Sequence, residues 1–269
     1  MTIEKILGMW TTLSVWAIAF SIIFPILAYT MACNKNQPII RKGMVTDLVY
    51  YFVIPILNSI ARLAFLIAGS SLMFYGESKE VISSHFVNGY GPLSSLPLWL
   101  QIAMMFVLSD FLLYWIHRFF HTGAAWKYHA IHHSSETLDW LSTYRFHPVN
   151  TFLAFALVDA LMLLIGFSPA CLSALAVFNM LYSVMVHANL NWTFGPFKYV
   201  FASPVFHRWH HTSQQEGMDK NFAPTIPLFD VMFGTFYMPE KKLPDRYGVP
   251  GSYIPNDFIG QMMWPFKTK

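Results

Sequence analysis

Residues 96–121 read L-P-L-W-L-Q-I-A-M-M-F-V-L-S-D-F-L-L-Y-W-I-H-R-F-F-H, an apolar run that ends in two histidines. Its apolar part, Leu96–Ile116, is long enough to cross a bilayer as a helix, for which about 20 residues suffice. His117 and His121 follow four residues apart, so a continuing helix carries both rings on one face at the membrane surface. Two later stretches have the same character, W-K-Y-H-A-I-H-H at 126–133 and F-H-R-W-H-H at 206–211. They set His129, His132 and His133, and then His207, His210 and His211, at helical spacings of three and four. Eight of the eleven histidines fall in these clusters, a pattern that scattered surface histidines rarely produce. The fold class read from this pattern is all-α: a polytopic membrane helical bundle with a histidine-rich helical cap.

Composition supports the membrane reading. The chain has 269 residues and is only 12% charged, against roughly 25% for a soluble domain. A net charge of +3 is too small to argue for nucleic acid as a partner. Two cysteines, Cys33 and Cys171, cannot make a disulfide framework, and there is no C-x-x-C. Any metal site is therefore built from histidine, with carboxylate or water as possible additions. Ile6–Met31 carries no charge and is too long for the 7–15-residue core of a signal peptide, so it reads as a membrane span.

Taken in order, the spans are 6–31, 45–75 and 96–116, in a single membrane domain covering 1–269. Lys35, Arg41 and Lys42 follow the first span, which makes that loop cytoplasmic and puts the N-terminus outside. The second span contains Pro55, expected to kink or break it, and Arg62, read as a packing residue with a substrate role as the alternative. Gly76–Ser95 is the outer loop and holds His85, a bilayer away from the other histidines. Residues 151–187 form two short apolar pieces around Ser168-Pro169. They read as a hairpin that dips into the membrane and returns to the same side, delivering His187. Residues 117–150 and 188–269 make the cytoplasmic metal-binding cap. Lys and Arg then number two outside, one mid-membrane and fourteen inside. The charge asymmetry and the histidine boxes thus agree on one topology: an integral, multi-pass protein with its boxes and C-terminus cytoplasmic.

The spacing also bears on chemistry. Imidazole binds iron, zinc, copper and nickel, so the residue type alone does not name the metal. In each H-H doublet the two rings diverge by about 100° on a helix, so one can serve one metal and its neighbour a second. His147 in R-F-H-P and His187 in H-A-N extend the candidate ligands to ten. His187 is read as a ligand, with a core histidine as the alternative. His147 is divided between a ligand and a substrate-side hydrogen-bonding role. Asp110 and Tyr114 lie on the stripe of His117, and Asp110 is expected to sit behind a ligand histidine, fixing its tautomer. Asp230 is a further candidate for such a role, with a turn or cap as the alternative. A bis-histidine haem needs opposed single histidines rather than doublets. A transport site usually lies at mid-membrane with carboxylates. Both fit less well, and a zinc-binding or metal-transport protein remains the more distant reading.

The motifs D-x-x-x-Y-W-x-H-R-x-x-H at 110–121, H-x-x-H-H at 129–133, R-F-H-P at 145–148, H-A-N at 187–189 and H-R-W-H-H at 207–211 resemble the fatty acid hydroxylase and sterol desaturase superfamily. N-F-A-P…F-D-V-M-F-G-T at 221–235 and Y-G-V-P at 247–250 also fit, and the resemblance spans about residues 96 to 260. The family carries histidine at positions 147 and 187 as well. The resemblance implies an O2-dependent oxidoreductase with two iron ions, for which zinc can substitute in a purified form. It hydroxylates an unactivated C–H bond of a lipid, an acyl chain or sterol, and desaturation at the same centre is the alternative. No dinucleotide-binding glycine motif is present, so the electrons come from an external donor, in this family a cytochrome b5 or ferredoxin. The expected setting is a bacterial inner membrane, with the endoplasmic reticulum as the alternative.

Overall fold

The computed structural model describes residues 2–267, and among them it is almost wholly helical, with a single isolated β-bridge between Thr212 and Tyr247. Four helices are long and apolar enough to cross a membrane: α1 (Ile3–Met31), α2 (Met44–Met73), Leu98–Phe120 and Pro169–His187. A short helix, α3 (Lys79–Asn88), starts at the Ser78 cap in the loop expected outside. The long helix Leu98–Phe120 is α4, and it is followed by α5 (Trp126–His133), α6 (Pro148–Leu164) and α7 (Pro169–His187). The remaining cap helices are α8 (Pro204–His210), α9 (Leu228–Met232) and α10 (Phe258–Lys267).

The helix starts follow local chemistry. Helices α6, α7 and α8 each begin with proline at the first turn, preceded by a capping side chain: His147, Ser168 and Ser203. Proline is suited to that position because its missing N–H has no intrahelical acceptor there. Pro55 does not break α2, which runs unbroken from Met44 to Met73, and the Ser59 hydroxyl donates to the Pro55 carbonyl at 2.9 Å. Helix α4 continues through Phe120, so it carries His117 within its last turn and ends on His121.

The hairpin of α6 and α7 starts and ends at the histidines: Asn150 meets His129, and His187 meets His132. It reaches deeper than a shallow dip. Its tip touches the opposite end of the bundle, where Ser168 N–H donates to Gln101 Oε1 at 3.0 Å, close to the start of α4. Gly166 at the tip has φ +106°, and a Cβ there would come within 2.4 Å of the Tyr90 carbonyl oxygen. The 17 and 19 residues of α6 and α7 span roughly 26 and 29 Å, close to the thickness of a hydrocarbon core. One turn of α6, Phe152–Ala156, is wound as a π-helix.

The cap is clamped to the bundle by a buried charge cluster. Asp47, in the first turn of α2, takes Arg145 at 2.6 Å and Arg41 at 2.7 Å. Arg41 also pairs with Asp139 at 2.6 Å, and Asp139 caps the turn at 140–144 by accepting from Leu141 and Ser142 N–H. Alongside it, Phe20 of α1, Tyr51 of α2, and Trp140 and Leu141 of the turn share one apolar cluster with Val184 of α7. This packing sets the end of α7, and with it His187, against the cap.

Asp47 is shared by two buried arginines; its removal leaves Arg145 without a carboxylate among the described residues, while Arg41 keeps Asp139. Breaking a buried ion pair costs on the order of 3–5 kcal/mol. Asp47→Ala is expected to lower the thermal unfolding temperature of the purified protein in detergent sharply. An unchanged transition would show that the cluster contributes nothing to holding the cap.

Candidate metal centre

Nine histidines from four helices converge in one buried volume. His117, His121, His129, His133 and His210 form one group and His132, His187, His207 and His211 a second, with one nitrogen from each ring lying within 4.8 Å of the others in its group. The doublets divide between the groups. His133 joins the first and His132 the second; His210 joins the first and His211 the second. This is the divergence expected of adjacent positions on a helix. His147 and His85 stay outside both groups.

The rings are held from behind. His117 Nδ1 donates to the Phe222 carbonyl at 2.7 Å, His132 Nδ1 to the Arg145 carbonyl at 3.2 Å and His187 Nδ1 to the Ser183 carbonyl at 2.8 Å. His129 Nδ1 donates to Asn150 Oδ1 at 2.6 Å, and His210 Nδ1 to the Lys220 carbonyl at 2.8 Å. A neutral imidazole has one N–H, so each of these rings presents a bare lone pair at Nε2. Yet His117 Nε2 lies 2.9 Å from His129 Nε2, and His132 Nε2 lies 3.3 Å from His187 Nε2. Lone pair faces lone pair at these contacts, and no hydrogen bond can form there. His121 Nε2 and His210 Nε2 are buried and have no partner among the described residues. A cation between the rings satisfies all of these nitrogens at once, so the residues fit bound metal.

Burial sets the protonation state. The box histidines outside the spans (His129, His132, His133, His207, His210 and His211) are held well below the usual imidazole range by loss of solvent, and next by the neighbouring rings. All are neutral at neutral pH.

The carboxylates fall in places that the sequence does not reveal. Asp110 does not stand behind a histidine. Its Oδ2 accepts the Ile226 N–H at 2.9 Å, because seven residues of helix, roughly 10 Å, separate it from His117. Asp230 accepts from Phe222 N–H, Ala223 N–H and the Thr235 hydroxyl, and so fixes the peptide whose carbonyl holds His117. Burial pushes its carboxyl up to about 6, against the pull of these donors. The Tyr114 hydroxyl lies 3.0 Å from Thr235 Oγ1 and takes Arg118 at 3.2 Å, so it extends the same network. The carboxylate that does touch a box histidine is Asp219, 3.0 Å from His121 Nδ1 and mostly exposed. His147 is a correction to the candidate ligand list. Its Nδ1 accepts the Val149 N–H at 3.1 Å as the cap of α6, and its Nε2 faces the Met262 carbonyl, so both nitrogens are turned away from the centre.

Three residues of the site escape the sequence reading. Asn150 and Asp219 have no helical spacing to the boxes that marks them. Phe146 stacks on His132 with ring centroids 3.9 Å apart and planes 11° apart, and it also meets Phe155 of the π-turn. Its neighbour His147 drew the attention in R-F-H-P.

Two cavities bear on access. A slot between α4, α6 and α7 is lined by Met105, Phe106, Leu113, Val158, Met162 and Leu175 among others, and its lower end reaches Asp110, Ser183 and Thr225. A larger groove of about 600 Å³ lies on the flank of the cap, near Lys198, Lys241 and Lys242. Neither cavity is lined by a histidine, but the slot borders the centre through Phe155, which meets Phe146, and Ser183, whose carbonyl holds His187, so the slot is the relevant one despite its smaller size.

Comparison with known proteins bears on the same region. The model of the fatty acid hydroxylase family matches residues 102–235, which contain every histidine of the two groups. The chain is 28% identical to an ornithine lipid hydroxylase of Rhizobium tropici over 64% of its own length and 52% of that protein. It is 34% identical to an alkylglycerol monooxygenase of Danio rerio over 49% of its length and 30% of that protein. It is 29% identical to a Delta(7)-sterol 5(6)-desaturase of Gibberella zeae over 60% of its length and 46% of that protein. The chain thus spans about half, or less, of these relatives. No solved structure is significantly similar to it.

The buried, neutral rings give the metal-free protein a pH signature. Unfolded histidines take up protons below about 6.5, whereas these folded ones do not, so stability is present above that pH and is lost as pH falls through it. The unfolding temperature of chelator-treated protein should fall from pH 8 to pH 5, more steeply than one proton allows, which is about 1.4 kcal/mol per pH unit. A flat profile would mean that the rings are already protonated or solvated.

Proposed function

The chain carries a fatty acid hydroxylase domain, and on that premise we propose that it is a membrane-bound di-iron oxygenase that hydroxylates a C–H bond of a lipid. One observation carries the reading: nine imidazoles form two groups, and in five of them (His117, His129, His132, His187 and His210) the proton is given outward at Nδ1, which leaves a bare Nε2. His117, His121, His129, His133 and His210 would hold one iron, and His132, His187, His207 and His211 the other. Bound iron supplies the activation of O2, using two electrons from an external donor. An all-nitrogen set of this kind suits iron and also zinc, so zinc in a purified sample is a replacement for the working metal.

The remaining work falls to the chain. The apolar walls of the slot bind an alkyl segment by excluding water, and its lower end directs that segment toward the histidines. Phe146, stacked on His132, fixes that ring's plane and places an apolar surface between the ring and Phe155. Asn150 and the carbonyls of Phe222, Arg145, Ser183 and Lys220 hold their protons at Nδ1, which keeps Nε2 free for the metal. Asp230, through the Phe222 peptide, and Tyr114, through Thr235, keep His117 in register. Asp219 does the same for His121 at the solvent edge. Burial of the rings keeps bulk water from the reaction.

The alternative product is a double bond, which the sterol desaturase among the relatives keeps in view. We also propose that the histidine end faces the cytoplasm, on the strength of the positive charge gathered there, and that a cytochrome b5 or ferredoxin reduces the centre from that side.

Turnover of membrane lipid under isotopically labelled O2, with reduced ferredoxin or cytochrome as donor, should give an alcohol carrying the label. A new double bond without label moves the assignment to a desaturase, and no oxygen uptake with any lipid refutes the oxygenase reading. His132→Ala and His210→Ala, one from each group, should lose metal and turnover while the protein still inserts. His85→Ala, in the distant loop, should lose neither.

A further inference from the structure

The slot carries polar groups that an alkyl chain does not need. Ser109 of α4, Asp159 of α6 and Asn179 of α7 all line it. They share one height. Ser109 lies eight residues before His117, Asn179 eight before His187, and Asp159 nine after Asn150, which holds His129. At 1.5 Å per residue this puts a polar belt roughly 12–14 Å from the metal centre, inside the membrane-spanning part of the bundle.

The belt is only partly satisfied. Arg62 of α2 reaches Asp159 Oδ2 through a single contact at 3.3 Å, and both side chains are about a third exposed (36% and 35%). Asp159 Oδ1 and the whole Asn179 amide have no hydrogen-bond partner among the described residues. Asn179 is exposed, beside the lipid-facing Val177, Phe178 and Leu181. An amide left unpaired in hydrocarbon is costly, and ionisable groups within a membrane span mark function more often than packing. Ser109 answers its own need by donating back to the Met105 carbonyl. The unmet groups are therefore a donor and acceptor on Asn179, an acceptor on Asp159 and the remaining N–H groups of Arg62.

We propose that Asp159 and Asn179 bind the polar linkage of the lipid substrate, an amide or hydroxyl that both donates and accepts hydrogen bonds, with Arg62 holding Asp159 from α2. Asp159 and the Asn179 carbonyl take its N–H or O–H, and the Asn179 NH2 takes its oxygen. The subsite acts as a ruler: the carbon oxidised lies roughly 12–14 Å from that linkage. This rests on the reading of the slot as the lipid site, and it selects among lipids those with such a group inside their apolar body.

The test uses binding rather than turnover, so that it stands apart from the oxygenase reading. The full-length protein in lipid nanodiscs is titrated with two fluorescent probes of equal chain length, an N-acyl amino acid amide and a plain hydrocarbon. The wild type should prefer the amide probe by about tenfold, the scale of one or two hydrogen bonds. Asn179→Leu and Asp159→Leu should each abolish the preference, with hydrocarbon affinity and metal content unchanged. The exchange Arg62→Asp with Asp159→Arg restores the ion pair but should not restore the preference, which a merely structural pair would not explain. Asn179→Leu removes no side-chain hydrogen bond among the described residues and sits at an exposed position, so loss of a structural hydrogen bond cannot account for its effect. A wild type without preference, or an Asn179→Leu variant that keeps it, would overturn the proposal.

Discussion

Imidazole nitrogens that face each other lone pair to lone pair are the constraint on which the rest of this molecule depends. His117 meets His129, and His132 meets His187, with each ring's only proton already given to a backbone or side-chain oxygen on its far side. Without cations this arrangement is repulsive, and burial denies it the relief of water or protonation. A fold that keeps such rings together must hold each one from outside, and most of the cap serves that purpose.

The outer supports are made from backbone more often than from side chains. Four of the clamped rings rest on carbonyls of segments that would otherwise be loose loops, at residues 145, 220 and 222, and on one helical turn at 183. Those loops are fixed in turn by buried charge. Asp230 orders residues 222–223, and the Asp47–Arg145 pair orders residue 145. Arg208, fully buried next to His207, gathers Asn34, Gln37, Tyr247 and the carbonyls of Leu138, His187 and Ala188, with no carboxylate partner among the described residues. It joins α8 to the loop after α1 and to the end of α7, which brings the second histidine group together. The membrane spans and the metal centre are thus one structure: α2, α4 and α7 each end in, or pack directly on, the residues that hold a ring.

Much of this was legible in the sequence because it depends on periodicity. The apolar runs, the three boxes and the divergence of the doublets follow from 3.6 residues per turn, and His187 follows from the return of a hairpin. What was not legible depends on loops meeting across long stretches of chain. Asp110 looked like the partner of His117 by its helical stripe, yet a stripe gives direction and not height, and the carboxylate lies too far up the helix. Asp230 reaches His117 only through the Phe222 peptide. Asp219 and Asn150 touch histidines 98 and 21 residues away, and no local pattern announces such contacts. His147 was attractive as an imidazole beside an arginine and a proline, but the proline decides its fate: it starts α6 and leaves His147 as the cap.

The central claim is that the two histidine groups hold two metal ions through imidazole nitrogen. X-ray absorption at the iron edge, with metal counted per chain in protein purified under iron-replete conditions, tests it most directly. The account predicts two irons per chain in a nitrogen-dominated coordination sphere, with loss of one iron when a single group is disabled. One iron per chain, or a sphere dominated by oxygen or sulfur, would contradict it.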